Sequence, residues 1–270
     1  MQSALPHDVL FQIALATPDA PSFFALLDAL HSSNALAPLH PFLALRSTHD
    51  IHDLWPVLCL SNCTGAALVH FQAIAPFCRH VVVLDDTVDL GLCQHISCDA
   101  TLTWRDFPAY DNATTRQWYA EWSTLQVTHV VVDSCGVALV PLLDALPTLR
   151  HLVGLEVGDM VADNDIARVL GVLAKCATLT TLHLHRINVF TRLHDSYPTS
   201  SMVQNVTAWL ETQPARTILR LRDWQLNSAI IDDATAQAFC KALSTCPTLE
   251  VFECIDCDFS HMNLPRLDEL

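Results

Sequence analysis

Two short stretches concentrate the side chains best able to grip a charged group. Leu182-His183-Leu184-His185-Arg186 alternates imidazoles with leucines, and Leu219-Arg220-Leu221-Arg222 alternates guanidinium groups with leucines. Guanidinium forks hold carboxylate or phosphate through two parallel hydrogen bonds, and imidazoles add further donors. On a chain of net charge −15 this local reversal of sign predicts a groove for an acidic or phosphorylated protein segment. His183 and His185, two residues apart, would need a third ligand to hold a metal, and no carboxylate is spaced along the chain to supply one. Cys254-x-x-Cys257, with Cys246 before it and His261 after, is the sharpest zinc candidate. The repeat described below already accounts for those cysteines, so no metal is expected. Catalysis has no constellation to work with. The chain lacks a Gly-rich phosphate loop, a Gly-x-Ser-x-Gly elbow and a His-Glu-x-x-His helix. A non-enzyme without a cofactor is the expectation.

The elements that must position these residues announce themselves by recurrence. An apolar residue, a free position, a second apolar residue, two free positions and a further core-sized or cysteine-like residue recur along the chain. The copies are Val81-x-Val83-x-x-Asp86, Leu102-x-Trp104-x-x-Phe107, Val130-x-Val132-x-x-Cys135, Leu155-x-Val157-x-x-Met160, Leu182-x-Leu184-x-x-Ile187, Leu219-x-Leu221-x-x-Trp224 and Phe252-x-Cys254-x-x-Cys257. A weaker copy, Leu58-x-Leu60-x-x-Cys63, precedes them. The first anchors of these seven stand 21, 28, 25, 27, 37 and 33 positions apart. Alternation with period two reads as a short strand with one buried face. The intervening positions then face outward on a concave surface: Arg105, Asp133, Glu156, His183, His185, Arg220, Arg222 and Glu253, with Val82, Leu84, Thr103, Val131, Gly158 and Ile255 among them.

Between the copies the period changes to that of a helix. Ile166, Val169, Leu170 and Leu173 form one stripe, and Ala236, Phe239, Cys240 and Leu243 form another; Asp residues precede both, as a helix start requires. Residues 114–125 and 202–210 read as two more helices. One strand–helix unit cannot bury its own apolar face, so units must stack. A doubly wound sheet would want Gly-rich turns, and the chain has only six glycines. The expected fold class is therefore α/β, a solenoid with one short parallel strand and a helix per repeat.

The junctions extend the pattern. Leu173-x-x-Cys176-x-x-Leu179-x-x-Leu182-x-Leu184 returns as Leu243-x-x-Cys246-x-x-Leu249-x-x-Phe252-x-Cys254. Over residues 57–264 this resembles the leucine-rich repeat in its ribonuclease-inhibitor-like, cysteine-containing form. Residues 188–200 read as an insertion.

The N-terminal segment, residues 1–56, does not follow the repeat. Leu5-Pro6-x-Asp8-Val9-Leu10-x-x-Ile13 opens a helix, residues 21–30 form a second, and Leu54-Trp55-Pro56 closes the segment. This spacing resembles an F-box, a small helical module that docks on the Skp-type adaptor of cullin-based (SCF-type) ubiquitin ligases. The Arg-Trp segment usual in the middle of that family is replaced by the Leu- and Pro-rich residues 32–49. The resemblance implies adaptor contacts through Leu5, Pro6, Val9, Leu10 and Ile13, with residues 57–270 capturing a substrate. Without docking, the same helices would only cap a stand-alone interaction scaffold.

Strong negative charge disfavours duplex nucleic acid and anionic membrane as partners. Residues 54–78 carry no Asp, Glu, Lys or Arg, but prolines, Asn62, His70 and Gln72 interrupt them, so no membrane span is expected. An odd count of eleven cysteines and the absence of a basic–apolar leader predict reduced structural thiols in cytoplasm or nucleus.

Overall fold

The computed structural model describes residues 6–31, 34–133, 137–158, 163–185, 198–213, 215–224, 231–257 and 259. The chain forms two compact units, Met1–Arg105 and Asp106–Leu270. Leu5, Cys135, Met160, Arg186, Ile187 and His261 lie outside the described residues.

The first unit begins with helices α1 (His7–Leu15), α2 (Ala20–Ala29), α3 (His40–Leu45) and α4 (Ile51–Leu54). Asp19 starts α2 by accepting from Ser22 N, and Asp50 starts α4 by accepting from His52 N. An aromatic cluster joins these helices. Phe23 stacks on Trp55 at 4.3 Å between ring centroids and meets Phe42 edge-on at 5.0 Å. The indole Nε1 of Trp55 donates to Thr17 O at 2.7 Å, which satisfies the polar end of a buried ring. Strands β1 (Val57–Leu60), β2 (His80–Val83) and β3 (Thr101–Trp104) follow, with α5 (Gly65–Ile74) and α6 (Leu90–Cys93) between them. Consecutive strands pair in parallel, Leu58 beside Val81 and Val81 beside Leu102.

The second unit repeats that arrangement. Strands β4 (His129–Val132), β5 (Gly154–Val157), β6 (Thr181–His185), β7 (Thr217–Arg222) and β8 (Leu249–Ile255) pair in parallel in chain order. Helices α7 (Ala113–Trp122), α8 (Leu139–Ala145), α9 (Asp163–Leu170), α10 (Ser200–Thr212) and α11 (Asp233–Thr245) precede or join them. Asn112, Thr199 and Asp232 each cap a helix by accepting from the backbone N–H three residues on.

The repeat pattern sorts inside from outside as its spacing predicts. Leu58, Leu60, Val81, Val83, Leu102, Trp104, Val130, Val132, Leu155, Val157, Leu182, Leu184, Leu219 and Leu221 are at most 2% exposed. The weaker first copy is thus a true strand. Alternate positions such as Val82, Thr103, Glu156 and His183 are half-buried. That alternation marks a parallel sheet with one face covered, unlike the continuous apolar runs of sheets covered on both faces. Ile166, Val169, Leu170 and Leu173 are buried, as are Ala236, Phe239 and Leu243.

Five positions depart from the expected division of inside from outside. Val131 and Gly158 are buried rather than outward; Gly158 has an imidazole against it. Cys240 is half-buried. In β8, Phe252 is half-buried and Cys254 exposed, where every earlier strand buries both anchors. No strand beyond β8 pairs with it among the described residues. No helix among the described residues is long and apolar enough to cross a membrane.

Candidate functional site

The outward positions of β5 to β8 come into register as rows. Parallel pairing sets Glu156 beside His183, His183 beside Arg220, and Arg220 beside Glu253. The next row carries His185 beside Arg222 and Arg222 beside Ile255, and the preceding row carries Thr181, Ile218 and Val251. Neighbouring parallel strands lie about 4.8 Å apart, so long side chains in one row must touch.

They do touch, as a chain of hydrogen bonds. Glu253 Oε2 accepts from Arg220 Nε at 2.7 Å. Arg220 Nη1 donates to His183 Nε2 at 3.0 Å. Glu156 Oε1 lies 2.8 Å from His185 Nε2, and Glu156 Oε2 lies 3.8 Å from His183 Nδ1. His183 and then His185 hold the Glu156 carboxyl down to about 2, against burial, which works in the opposite direction. By distance, His185 is the hydrogen-bond donor and His183 a more distant neighbour.

Gly154 on β5 and Gly158 just after it make room for imidazoles. A Cβ on Gly158 would sit 2.7 Å from His185 Cε1, and one on Gly154 would sit 2.3 Å from His129 Cδ2. A side chain at either position would push the ring out of its place.

The predicted basic cluster is thus brought together, and it is also neutralised from within. Glu253 pairs with Arg220, as its neighbouring strand position suggests. Arg222 has a looser contact, 4.0 Å from Asp223. Glu156 was the residue missed as a partner. Spacing along one strand offers the imidazoles no carboxylate, yet Glu156 occupies the same pattern position one repeat earlier, and that equivalence was the available signal. Asp133 follows β4 in the second unit and is half-buried, with an interaction of its own. Arg105 is exposed at the end of the first unit and also has a partner.

Among the residues expected to meet an adaptor, Pro6, Val9 and Ile13 are exposed and Leu10 is half-buried. Val9 and Ile13, 41% and 45% exposed, rank with the few large apolar side chains open to water.

Among the described residues no group of three His, Cys, Asp or Glu side chains could hold a metal ion. Cys63, Cys78, Cys93 and Cys176 are buried and behave as packing groups. Burial pushes Cys63, Cys78 and Cys93 up to about 12 and Cys176 up to about 11. The hydrogen-bonded row can present donors and acceptors to a partner, but it contains no nucleophile with a base beside it. No protein-family model matches the chain, and neither the curated proteins nor the solved structures yield a match.

Proposed function

We propose that this chain is a non-catalytic leucine-rich-repeat recognition protein that captures a protein segment on the outward face of β5–β8. The observation that carries this reading is the row Glu156–His183–Arg220–Glu253, flanked by half-buried Ile218 and Val251 and by exposed Ile255. Polar groups with apolar neighbours, fixed in register on rigid strands, are what a specific protein interface uses. An acidic or phosphorylated segment would exchange its oxygens for those of Glu253 on Arg220. Arg222, 4.0 Å from Asp223, gives it a second anchor.

The test is a titration with labelled phosphoserine, glutamate-rich and neutral peptides of equal length. Saturable binding of the anionic peptides, reduced at least tenfold in Arg220→Ala and Arg222→Ala, supports the reading. Equal binding of all three sets sinks it.

The exposed apolar side of α1 favours a second layer to this role. Val9 and Ile13, with Leu10, serve as an F-box-like docking face for a Skp-type adaptor, which makes the chain a substrate-binding subunit of a cullin-based ubiquitin ligase. Co-purification with the adaptor, lost in Val9→Asp while circular dichroism is unchanged, supports the layer. Retention in that variant returns α1 to a capping role.

A further inference from the structure

One turn geometry occurs three times among the described residues, and its last copy brings two thiols together. Asn62, Asp223 and Asp256 have left-handed backbone, with φ of 53°, 58° and 55°. Each stands two positions after the second anchor of its strand, which is Leu60, Leu221 and Cys254 in turn. A left-handed residue there bends the chain as it leaves the strand. In β1 and β7 the residues on either side of the bend are Leu60 with Cys63 and Leu221 with Trp224, all buried. At the end of β8 both are cysteine.

A bend of this kind can bring cysteines three positions apart into the span a disulfide needs, about 4.4–6.8 Å between Cα atoms. The two thiols are close enough for each to affect the other's titration, and Cys257 Sγ also lies 3.5 Å from Leu221 O and from Ile255 O. They are also within reach of solvent, Cys254 exposed and Cys257 half-buried. No third ligand makes the pair a metal site among the described residues.

We propose that Cys254 and Cys257 are a redox modification site, closing reversibly to an intramolecular disulfide at the end of β8 with a low-molecular-weight disulfide as oxidant. The Cys254 thiol beside it holds the Cys257 thiol down to about 7, which makes Cys257 the attacking thiolate. Its sulfur bonds to one sulfur of the oxidant, and the other leaves as a thiolate that takes up a proton. Cys254 then loses its proton and bonds to the Cys257 sulfur, expelling the second small thiol. Two protein thiols are oxidised and one small disulfide is reduced to two thiols. Closure would pin the end of the strand that carries Glu253 and Ile255 on the outward face.

The test uses the full chain, folded and reduced, equilibrated with graded mixtures of glutathione and glutathione disulfide. Remaining thiols are then alkylated in denaturant and the peptides weighed. The peptide holding Cys254 and Cys257 should lose both alkyl labels together, without gaining glutathione, while Cys63, Cys78 and Cys176 stay fully labelled. Cys254→Ser and Cys257→Ser should each abolish the bridge. Both residues labelled across the series, two separate glutathione adducts, or a bridge that forms only in denatured chain would each overturn the proposal.

Discussion

Arg220 Nη1 donates a hydrogen bond to His183 Nε2 at 3.0 Å. A guanidinium never accepts, so the imidazole nitrogen must offer its lone pair, and the His183 proton belongs on Nδ1, toward Glu156. One arginine thereby fixes a tautomer and, through it, which end of the ring can donate. Ring nitrogen chemical shifts should report an Nδ1–H imidazole at neutral pH in the wild type. Arg220→Ala should shift His183 toward the Nε2–H form. Arg220→Lys, which lacks the fork, should lose the simultaneous contacts to His183 and Glu253 at a stability cost below about 1 kcal/mol. An Nε2–H signal in the wild type would break the row at its centre.

Glu156 makes the row sensitive to acid in a defined direction. Its carboxyl titrates at about 2 rather than 4.5. A depressed carboxylate stabilises the fold above its unfolded value, and that contribution is lost as pH falls from about 4.5 toward 2. Glu156→Gln should therefore lower stability at pH 7 by about 1 kcal/mol, a figure kept small because a third of the side chain meets solvent. The difference between variant and wild type should vanish near pH 2. Urea unfolding at a series of pH values measures it, and a difference that persists undiminished at pH 2 would exclude the linkage.

Adjacent residues on β6 should respond oppositely to truncation. Leu182 is fully buried and Leu182→Ala should cost about 2–5 kcal/mol through the cavity it leaves. His183 is 27% exposed, and His183→Ala should move the melting temperature little, by about 0.5 kcal/mol in stability, while weakening peptide capture. Equal losses in both would mean that the strand faces are not divided as described.

Much of this was legible from pattern because burial on a strand repeats every second residue. The anchors from Leu58 to Leu221 were read correctly for that reason. The last copy was not, because Phe252 and Cys254 satisfy the same spacing while β8 has no further strand paired to it among the described residues. Reading one strand at a time also hid Glu156 from His185, since their contact crosses between strands. The turns carried a signal that went unread. The position two after the second anchor is Asn or Asp in six of eight copies: Asn62, Asp85, Asp106, Asp159, Asp223 and Asp256. These types tolerate left-handed backbone or cap a turn. Asn62, Asp223 and Asp256 do the first, and Asp85 does the second by accepting from Thr87 N at 2.8 Å.

Gly158 supplies the sharpest check on the site's geometry, because what it provides is the absence of an atom. A methyl group there would lie 2.7 Å from His185 Cε1, closer than carbon atoms approach, so the ring must move off Glu156. Gly158→Ala should destabilise the fold by about 1–3 kcal/mol and raise the Glu156 titration from about 2 toward 4.5. Shortening the ring's side chain removes the conflict with the ring and leaves only the approach to His185 O, 3.1 Å. In the double variant Gly158→Ala, His185→Ala the added methyl should therefore cost less than it does in the wild type, a coupling that a double-mutant cycle isolates. Were the two substitutions additive, Gly158 would be small for some reason other than the imidazole against it.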